Sequence, residues 1–120
     1  MTLPELNAAQ QEQLLRFRKL EQAIQNLRIQ LSEIGRALSE IDITTKELQK
    51  LDGDLQVWKS IGTVMFPKKA SEMLKELTNR GELLEIQRKG LESKEKESMA
   101  NFEELQKRLS QDLGESPSSN

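Results

Sequence analysis

Apolar residues recur along the first half of the chain at alternating spacings of three and four residues. The pattern runs from Leu3 to Leu48 and is unbroken from Leu20 to Ile41. This spacing keeps one stripe on one side of a helix, which is typical of a coiled coil. We therefore predict a helix over about residues 4–51, with Pro4 in its first turn, where a missing N–H costs nothing. This first seam comprises Leu3, Leu6, Gln10, Gln13, Phe17, Leu20, Ile24, Leu27, Leu31, Ile34, Leu38, Ile41, Thr45 and Leu48.

Asp52-Gly53-Asp54 interrupts this pattern and predicts the end of the helix, with Gly53 in the left-handed conformation that often closes helices. Pro67 then predicts the entry to a second helix, which runs to about residue 113. Its apolar stripe is weaker, because arginine, glutamate, serine and glycine occupy some positions. This second seam comprises Ala70, Leu74, Leu77, Gly81, Leu84, Arg88, Leu91, Glu95, Ser98, Phe102, Leu105 and Leu109.

The segment Glu92–Ser98 has almost no apolar content. It is interpreted either as a solvated face with local ion pairs or as a softer segment that lets the helix bend. The tail 114–120, which contains Ser-Pro-Ser-Ser, is predicted to be disordered.

The short connection between two helices of similar length favours antiparallel neighbours within a single domain, residues 1–113. At ~1.5 Å per residue each helix would extend roughly 70 Å, with both chain ends together at one end. If the chain reverses direction about residue 59, Ile41 would lie beside Leu77 on the other helix.

The connection itself, about residues 55–66, is rich in β-branched and aromatic residues, which favours strands. Val57, Lys59 and Ile61 alternate with Trp58 and Ser60, the period of a strand. Gly62-Thr63 fits a two-residue turn with glycine first. We predict a β-hairpin between the helices.

This hairpin carries apolar residues on both faces, and an isolated two-stranded hairpin is marginal in water. Its outer edges also offer unpaired backbone groups to another strand. Other subunits are therefore expected to bury it, although it could instead fold back onto its own helices. The predicted assembly residues are Val57, Trp58, Ile61, Val64, Met65 and Phe66.

The chain ends are also rich in apolar residues, some of them off the seams. Exposed apolar groups there would suit contact with a partner, and ordinary packing between the helices is the alternative. The candidate tip residues are Leu3, Leu6, Leu14, Leu15, Phe17, Phe102, Leu105 and Leu109.

Composition argues against a catalytic or metal-binding site in this chain. Histidine and cysteine are both absent, which removes the commonest general base, the commonest metal ligand and all disulfides. Positive and negative charges are balanced in both halves, with a net charge of −2, so no nucleic-acid surface is expected. No apolar segment approaches the length of a membrane span. We expect a cytosolic protein that is not an enzyme and has no cofactor.

Two segments are the most specific part of the sequence: Thr45-Lys46-Glu47-Leu48, and Val57–Phe66 with aliphatic, aromatic, basic, small and aliphatic residues before glycine and an apolar strand. Together they resemble the β-class subunits of prefoldin, and the resemblance covers about residues 10–112. The first of these segments and Trp58 look most like the eukaryotic subunit 1. Phe66-Pro67-Lys68-Lys69 departs from the pattern, because Pro67 is expected to shorten the second strand.

The resemblance implies a cytosolic heterohexamer of two α-class and four β-class subunits, whose hairpins close into a double β-barrel. It also implies capture of unfolded clients, such as actin and tubulin, without ATP, and their delivery to the cytosolic chaperonin. The arm tips would hold the client. The competing interpretations are a structural coiled-coil subunit of a scaffold or tethering complex, and a homo-oligomeric adaptor.

Overall fold

A computed structural model describes residues 6–112 and contains two long helices joined by an antiparallel β-hairpin. Helix α1 spans Ala8–Gln49, strand β1 Gln56–Ile61, strand β2 Val64–Lys69, and helix α2 Ala70–Asp112. The predicted mainly α fold class is confirmed. Leu3, Pro4 and the predicted disordered tail lie outside the described residues.

Helix α1 begins at Ala8 because Asn7 caps it. The Gln10 amide donates to Asn7 Oδ1 at 2.8 Å, and the Asn7 amide donates to Gln10 Oε1 at 3.1 Å. This reciprocal pair is a capping box, which satisfies two backbone donors at the helix start. The predicted start at Pro4 was therefore too early, since Leu6 and Asn7 are not helical.

Helix α1 ends without a left-handed glycine. Its last turn tightens through i→i+3 bonds, from the Lys50 amide to the Glu47 carbonyl and from Leu51 to Leu48, both 3.1 Å. Gly53 does not have a positive φ, so that prediction was wrong. The carbonyl of Gly53 accepts a hydrogen bond from the Ser71 amide at 3.0 Å, which ties this connection to the first turn of the second helix.

The hairpin turns at Gly62-Thr63, as predicted. Ile61 pairs with Val64 across the turn, and Gly62 has a φ of 60° whereas Thr63 does not have a positive φ. This combination is the type II′ turn, whose twist matches that of the strands and which places glycine first.

Pro67 does not begin the second helix, contrary to the prediction. It lies within β2, opposite Trp58, at a position where the backbone nitrogen points away from β1, so no ladder bond is lost. Helix α2 starts at Ala70, where the Lys69 amide donates to Glu72 Oε1 at 3.1 Å and so satisfies a donor beside the first turn.

The described residues form two compact units. The terminal unit contains the described parts of Met1–Gln30 and Leu91–Asn120, and the hairpin unit contains Leu31–Gly90. The prediction of a single domain stays a prediction. Every seam position within residues 6–112 is buried or half-buried, which confirms both seams. The buried apolar residues are Ile24, Leu91 and Leu109 in the terminal unit and Ile34, Leu48 and Ala70 in the hairpin unit.

Within the terminal unit the two helices run antiparallel. The rings of Phe17 and Phe102 stack with centroids 4.6 Å apart, and Gln10 Nε2 donates to the Asp112 carbonyl at 3.1 Å. Arg28 Nε contacts Glu95 Oε2 at 3.0 Å, so an interhelical ion pair replaces apolar packing where the second seam is polar.

Within the hairpin unit the register of the helices differs from the expected one. Ile41 Cγ2 lies 3.6 Å from the position that a Cβ on Gly81 would take, one helical turn from the expected neighbour Leu77. The offset arises because the chain reverses at Gly62-Thr63 and β2 continues to Lys69, so α2 begins later than predicted.

Candidate functional site

The β-hairpin presents apolar side chains on both faces. Alternation along paired strands places Val57, Ile61, Val64 and Phe66 on one face, with Trp58 and Met65 on the other. The structure therefore brings together the six residues predicted for assembly, on two sides of one two-stranded sheet.

These side chains are mostly uncovered by the rest of the described chain. Val57 is half-buried, and the other five expose 44–56% of their surface. A hairpin folded back onto its own helices would bury one face, so the alternative expectation does not describe residues 6–112. The exposed residues are Trp58, Ile61, Val64, Met65 and Phe66.

A shared carboxylate holds the hairpin against α2. Glu76 Oε1 accepts from Lys59 Nζ at 2.9 Å and from Lys68 Nζ at 3.2 Å. Lys59 and Lys68 lie on the Val57 face, one on each strand. Hydrogen bonds from Lys59 and then Lys68 lower the pKa of Glu76. The bridge thus orients both strands relative to one helix.

Further exposed apolar residues of the hairpin unit were not singled out from the sequence. Leu51 and Leu55 precede β1, whereas Ile43 lies on α1, and Leu83 and Ile86 lie on α2. All five lie outside the two seams. An apolar residue outside a seam is the sequence signal that could have identified them.

The candidate tip residues differ in how far they are exposed. Leu15 is 54% exposed and Leu109 only 7%, whereas Phe17 and Phe102 stack on each other. Leu6, Leu14 and Leu105 are half-buried. Leu3 lies outside the described residues. Client contact by these residues stays a prediction, with Leu15 as the most accessible of those described.

Neither helix contains, within residues 6–112, a stretch long and apolar enough to span a bilayer. The same residues include no group of three or more acidic side chains arranged to hold a metal ion.

Two antiparallel helices that carry an exposed, two-faced β-hairpin define a class of helical-hairpin proteins built around an assembly element. Within this class, the prefoldin subunit family matches residues 11–116. The chain is 33% identical to prefoldin subunit beta of Methanothrix thermoacetophila, covering 94% of both chains. It is 30% identical to prefoldin subunit beta of Archaeoglobus fulgidus, covering 88% of this chain and 90% of the relative.

The crystal structure of the prefoldin beta subunit from Thermococcus strain KS-1 has the same fold. The TM-score is 0.78 at 23% identity, covering 93% of this chain and 98% of the other. The chain belongs to the prefoldin subunit family, a family of chaperone subunits. The expected likeness to the eukaryotic subunit 1 stays a prediction.

Proposed function

We propose that this chain is one β-class subunit of a heterohexameric chaperone that captures unfolded proteins without ATP and transfers them to the cytosolic chaperonin. Its part is binding rather than catalysis. The complex would contain two α-class and four β-class subunits, with actin- and tubulin-like chains among its clients. Its hairpin would join the hairpins of the other subunits, and its tip residues would contact the client.

The exposed hairpin is the observation that carries this proposal. Five large apolar side chains on a two-stranded sheet are uncovered, although such a sheet is marginal by itself. Burial of apolar surface contributes about 25 cal/mol per Å², so covering both faces with other hairpins would be strongly favourable.

A structural coiled-coil subunit of a scaffold or tethering complex is the second candidate. The seams fit it equally well, because any coiled coil requires them. The two-faced hairpin favours the chaperone, since a scaffold built only from helices has no use for a β element with exposed apolar residues.

Native mass spectrometry of the full chain tests the proposal. The chain alone is compared with the chain co-expressed with an α-class prefoldin subunit, and the mixed complex is then assayed for suppression of aggregation of unfolded actin. We expect a mixed hexamer that suppresses aggregation. A stable monomer that ignores the α-class subunit would contradict the assembly, and a hexamer without suppression would favour the scaffold.

A further inference from the structure

An open groove of about 600 Å³ lies between the two helices of the terminal unit. Helix α1 lines it with Arg16, Lys19, Leu20 and Ala23, which are spaced i, i+3, i+4 and i+7. Residues at these spacings share one face of a helix. The groove therefore follows the helix for about 10 Å, at ~1.5 Å per residue, which is the length of about three residues of extended chain.

Helix α2 forms the opposite wall and contributes residues at the same four spacings, which are Asn101, Glu104, Leu105 and Arg108. Because the helices run antiparallel in this unit, Arg16 and Arg108 lie at the same end of the groove, toward the chain ends. Leu20 and Leu105 are half-buried seam residues, so the floor between the charged walls is apolar.

The rim of this groove carries an excess of positive charge. Arg16, Lys19 and Arg108 are cations, whereas Glu104 is the one acidic residue that lines the groove. Each arginine donates through one terminal nitrogen to an exposed glutamate of its own helix, at 3.2 Å from Arg16 and 2.8 Å from Arg108. A guanidinium has five N–H donors, so both arginines keep donors for a further carboxylate. Lys19 enters no ion pair within residues 6–112.

A second groove of the terminal unit has the opposite charge balance. The charged residues that line it are two cations, Arg28 and Lys96, and three acids, Glu92, Glu95 and Glu103. The excess of positive charge is therefore a local property of the first groove and does not extend over the terminal unit as a whole.

The chemistry of the first groove indicates what kind of ligand fits it. A carboxylate would find three cations on the rim, and an apolar side chain would cover Leu20, Ala23 and Leu105. The residues that line the groove include no aromatic ring, whereas single-stranded nucleic acids are held by stacking of their bases on such rings. A peptide with acidic and apolar residues therefore fits better than a nucleic acid.

We propose that this groove binds acidic, partly apolar segments of unfolded clients and so gives the subunit a preference among clients by charge. This rests on the proposed function and adds the chemical class of the segment and the place where it binds. Apolar contact is non-directional and admits many sequences, whereas the charged rim attracts acidic segments and repels basic ones. Leu105 lines the groove and is also a candidate tip residue, so groove and tip form one continuous client surface.

Binding of two matched peptides to the assembled complex tests this preference. Both are fluorescein-labelled, unstructured chains of equal length and equal glycine, serine and leucine content, with either glutamate or lysine at the remaining positions. We expect the wild-type complex to bind the glutamate peptide more tightly, by fluorescence anisotropy, and the difference to shrink between ~50 mM and ~300 mM salt because exposed charges are screened. Equal binding of the two peptides at low salt would contradict the proposal.

A matched pair of variants then locates the preference. Lys19→Glu and Arg18→Glu make the same change of charge at neighbouring exposed positions of α1, but Arg18 does not line the groove. In complexes that differ only in this chain, we expect Lys19→Glu to weaken binding of the glutamate peptide about fivefold relative to Arg18→Glu. Binding of the lysine peptide should not weaken. Equal losses in the two variants would overturn the assignment to the groove.

The methyl group of Ala23 gives a readout at the groove itself. Ala23 is exposed and lines the groove, whereas Ala37 lies on the same helix in the hairpin unit. With isotope-labelled alanine methyl groups in this chain alone, we expect the glutamate peptide to shift the Ala23 resonance of the assembled complex and to leave that of Ala37 unchanged. An Ala23 resonance that does not move at saturating peptide would refute binding in the groove.

These outcomes also separate the inference from the proposed function. A complex that suppresses actin aggregation but binds both peptides equally would refute the charge preference and leave the function standing. Failure of the wild-type chain to assemble, or of the complex to suppress aggregation, would refute the function itself. Loss of assembly in Lys19→Glu but not in Arg18→Glu would overturn the inference, because the groove would then be a contact between subunits.

Discussion

Single residues fix the geometry of the hairpin and its attachment to α2. Gly62 supplies the positive φ that the turn requires, Pro67 occupies a strand position where no N–H is needed, and Glu76 joins both strands to α2. Each of these effects depends on one backbone angle or one side chain, so each can be tested by a single substitution.

Gly62→Ala is expected to destabilise the hairpin by about 1–3 kcal/mol, because an L-residue is strained at this φ. No heavy atom lies within 4 Å of the new Cβ, so the effect is purely one of backbone conformation. Hydrogen exchange of the hairpin amides measures it.

Gly90→Ala provides the control with the opposite sign. Gly90 lies within α2, its Cβ would also meet nothing within 4 Å, and alanine favours helix by about 1 kcal/mol. Equal effects of the two substitutions would show that the turn conformation is not the cause.

Attachment of the hairpin to α2 is expected to weaken in acid. The hydrogen bonds from the two lysines lower the pKa of Glu76 in the folded chain. The stability that Glu76 gives to this attachment is therefore present at pH values above its pKa in the unfolded chain. It is lost as the pH falls through the lower pKa of the folded state. Hydrogen exchange of β1 and β2 measured from pH 7 to pH 3 should reveal this loss.

Glu76→Gln separates this carboxylate from the others that titrate in the same range. The variant should show weaker hairpin protection already at pH 7 and a smaller change on acidification. Glu104→Gln, which breaks the exposed pair with Arg108 on the same helix, should behave like the wild type. An unchanged pH response in Glu76→Gln would argue against the bridge.

At the scale of elements, helices and hairpin are stabilised differently. The helices bury apolar seam positions, among them Ile24 and Leu91 in the terminal unit and Ile34 and Leu48 in the hairpin unit. The hairpin leaves its apolar residues exposed. Its surface is therefore available for assembly without any cost to the helical core.

Replacing Ile61 and Val64 together by Asp should abolish assembly with an α-class subunit while the helix content persists. Both side chains are exposed in the chain itself, so the loss would arise when unpaired charges are buried at an interface, at several kcal/mol each. Native mass spectrometry and circular dichroism measure the two quantities.

Leu83→Glu with Ile86→Glu is the matched control. These residues are at least as exposed but lie on α2, and glutamate is compatible with a helix. Normal incorporation of the Ile61 and Val64 variant, or its equal loss in the control, would count against a hairpin-specific interface.

At the scale of the whole molecule, the two proposed functions reside in different units. The hairpin belongs to residues Leu31–Gly90, whereas the described candidate tip residues belong to the unit that contains both chain ends. Mutations in one unit are therefore expected to separate assembly from client binding. Several weak apolar contacts on different subunits would then add through multivalency, which allows capture and release without ATP.

Leu15→Ser is expected to weaken suppression of client aggregation severalfold and to leave the hexamer intact. Exposed apolar groups are what non-native chains share, so an accessible leucine is a suitable contact. Aggregation of unfolded actin, with the complex at limiting concentration, measures the effect.

Ile29→Ser is the matched control, because Ile29 lies on the same helix and is 57% exposed but lies outside the predicted tip. Hydrogen exchange of the terminal unit should be unchanged in both variants. If both variants suppress aggregation as well as the wild type does, this subunit does not bind clients through Leu15.

The sequence by itself determined the two seams, the turn and the two-faced hairpin. These features follow from local rules: an apolar spacing of three and four requires a helix, alternation requires a strand, and a glycine-first turn requires a positive φ. The helix starts are encoded too, in Asn7 with Gln10 and in Glu72, although Pro4 and Pro67 predict starts at other positions.

Only the tertiary structure decided the register of the helices, the position of Pro67 within a strand and the accessibility of the tip. Leu15 and Leu109 are both apolar residues near a chain end, yet one is exposed and the other buried. Periodicity defines which residues share a face, but exposure depends on what packs against that face. Likewise, Pro67 fits within β2 without loss of a ladder bond only because strand pairing directs its nitrogen outward, and that direction is set by the partner strand.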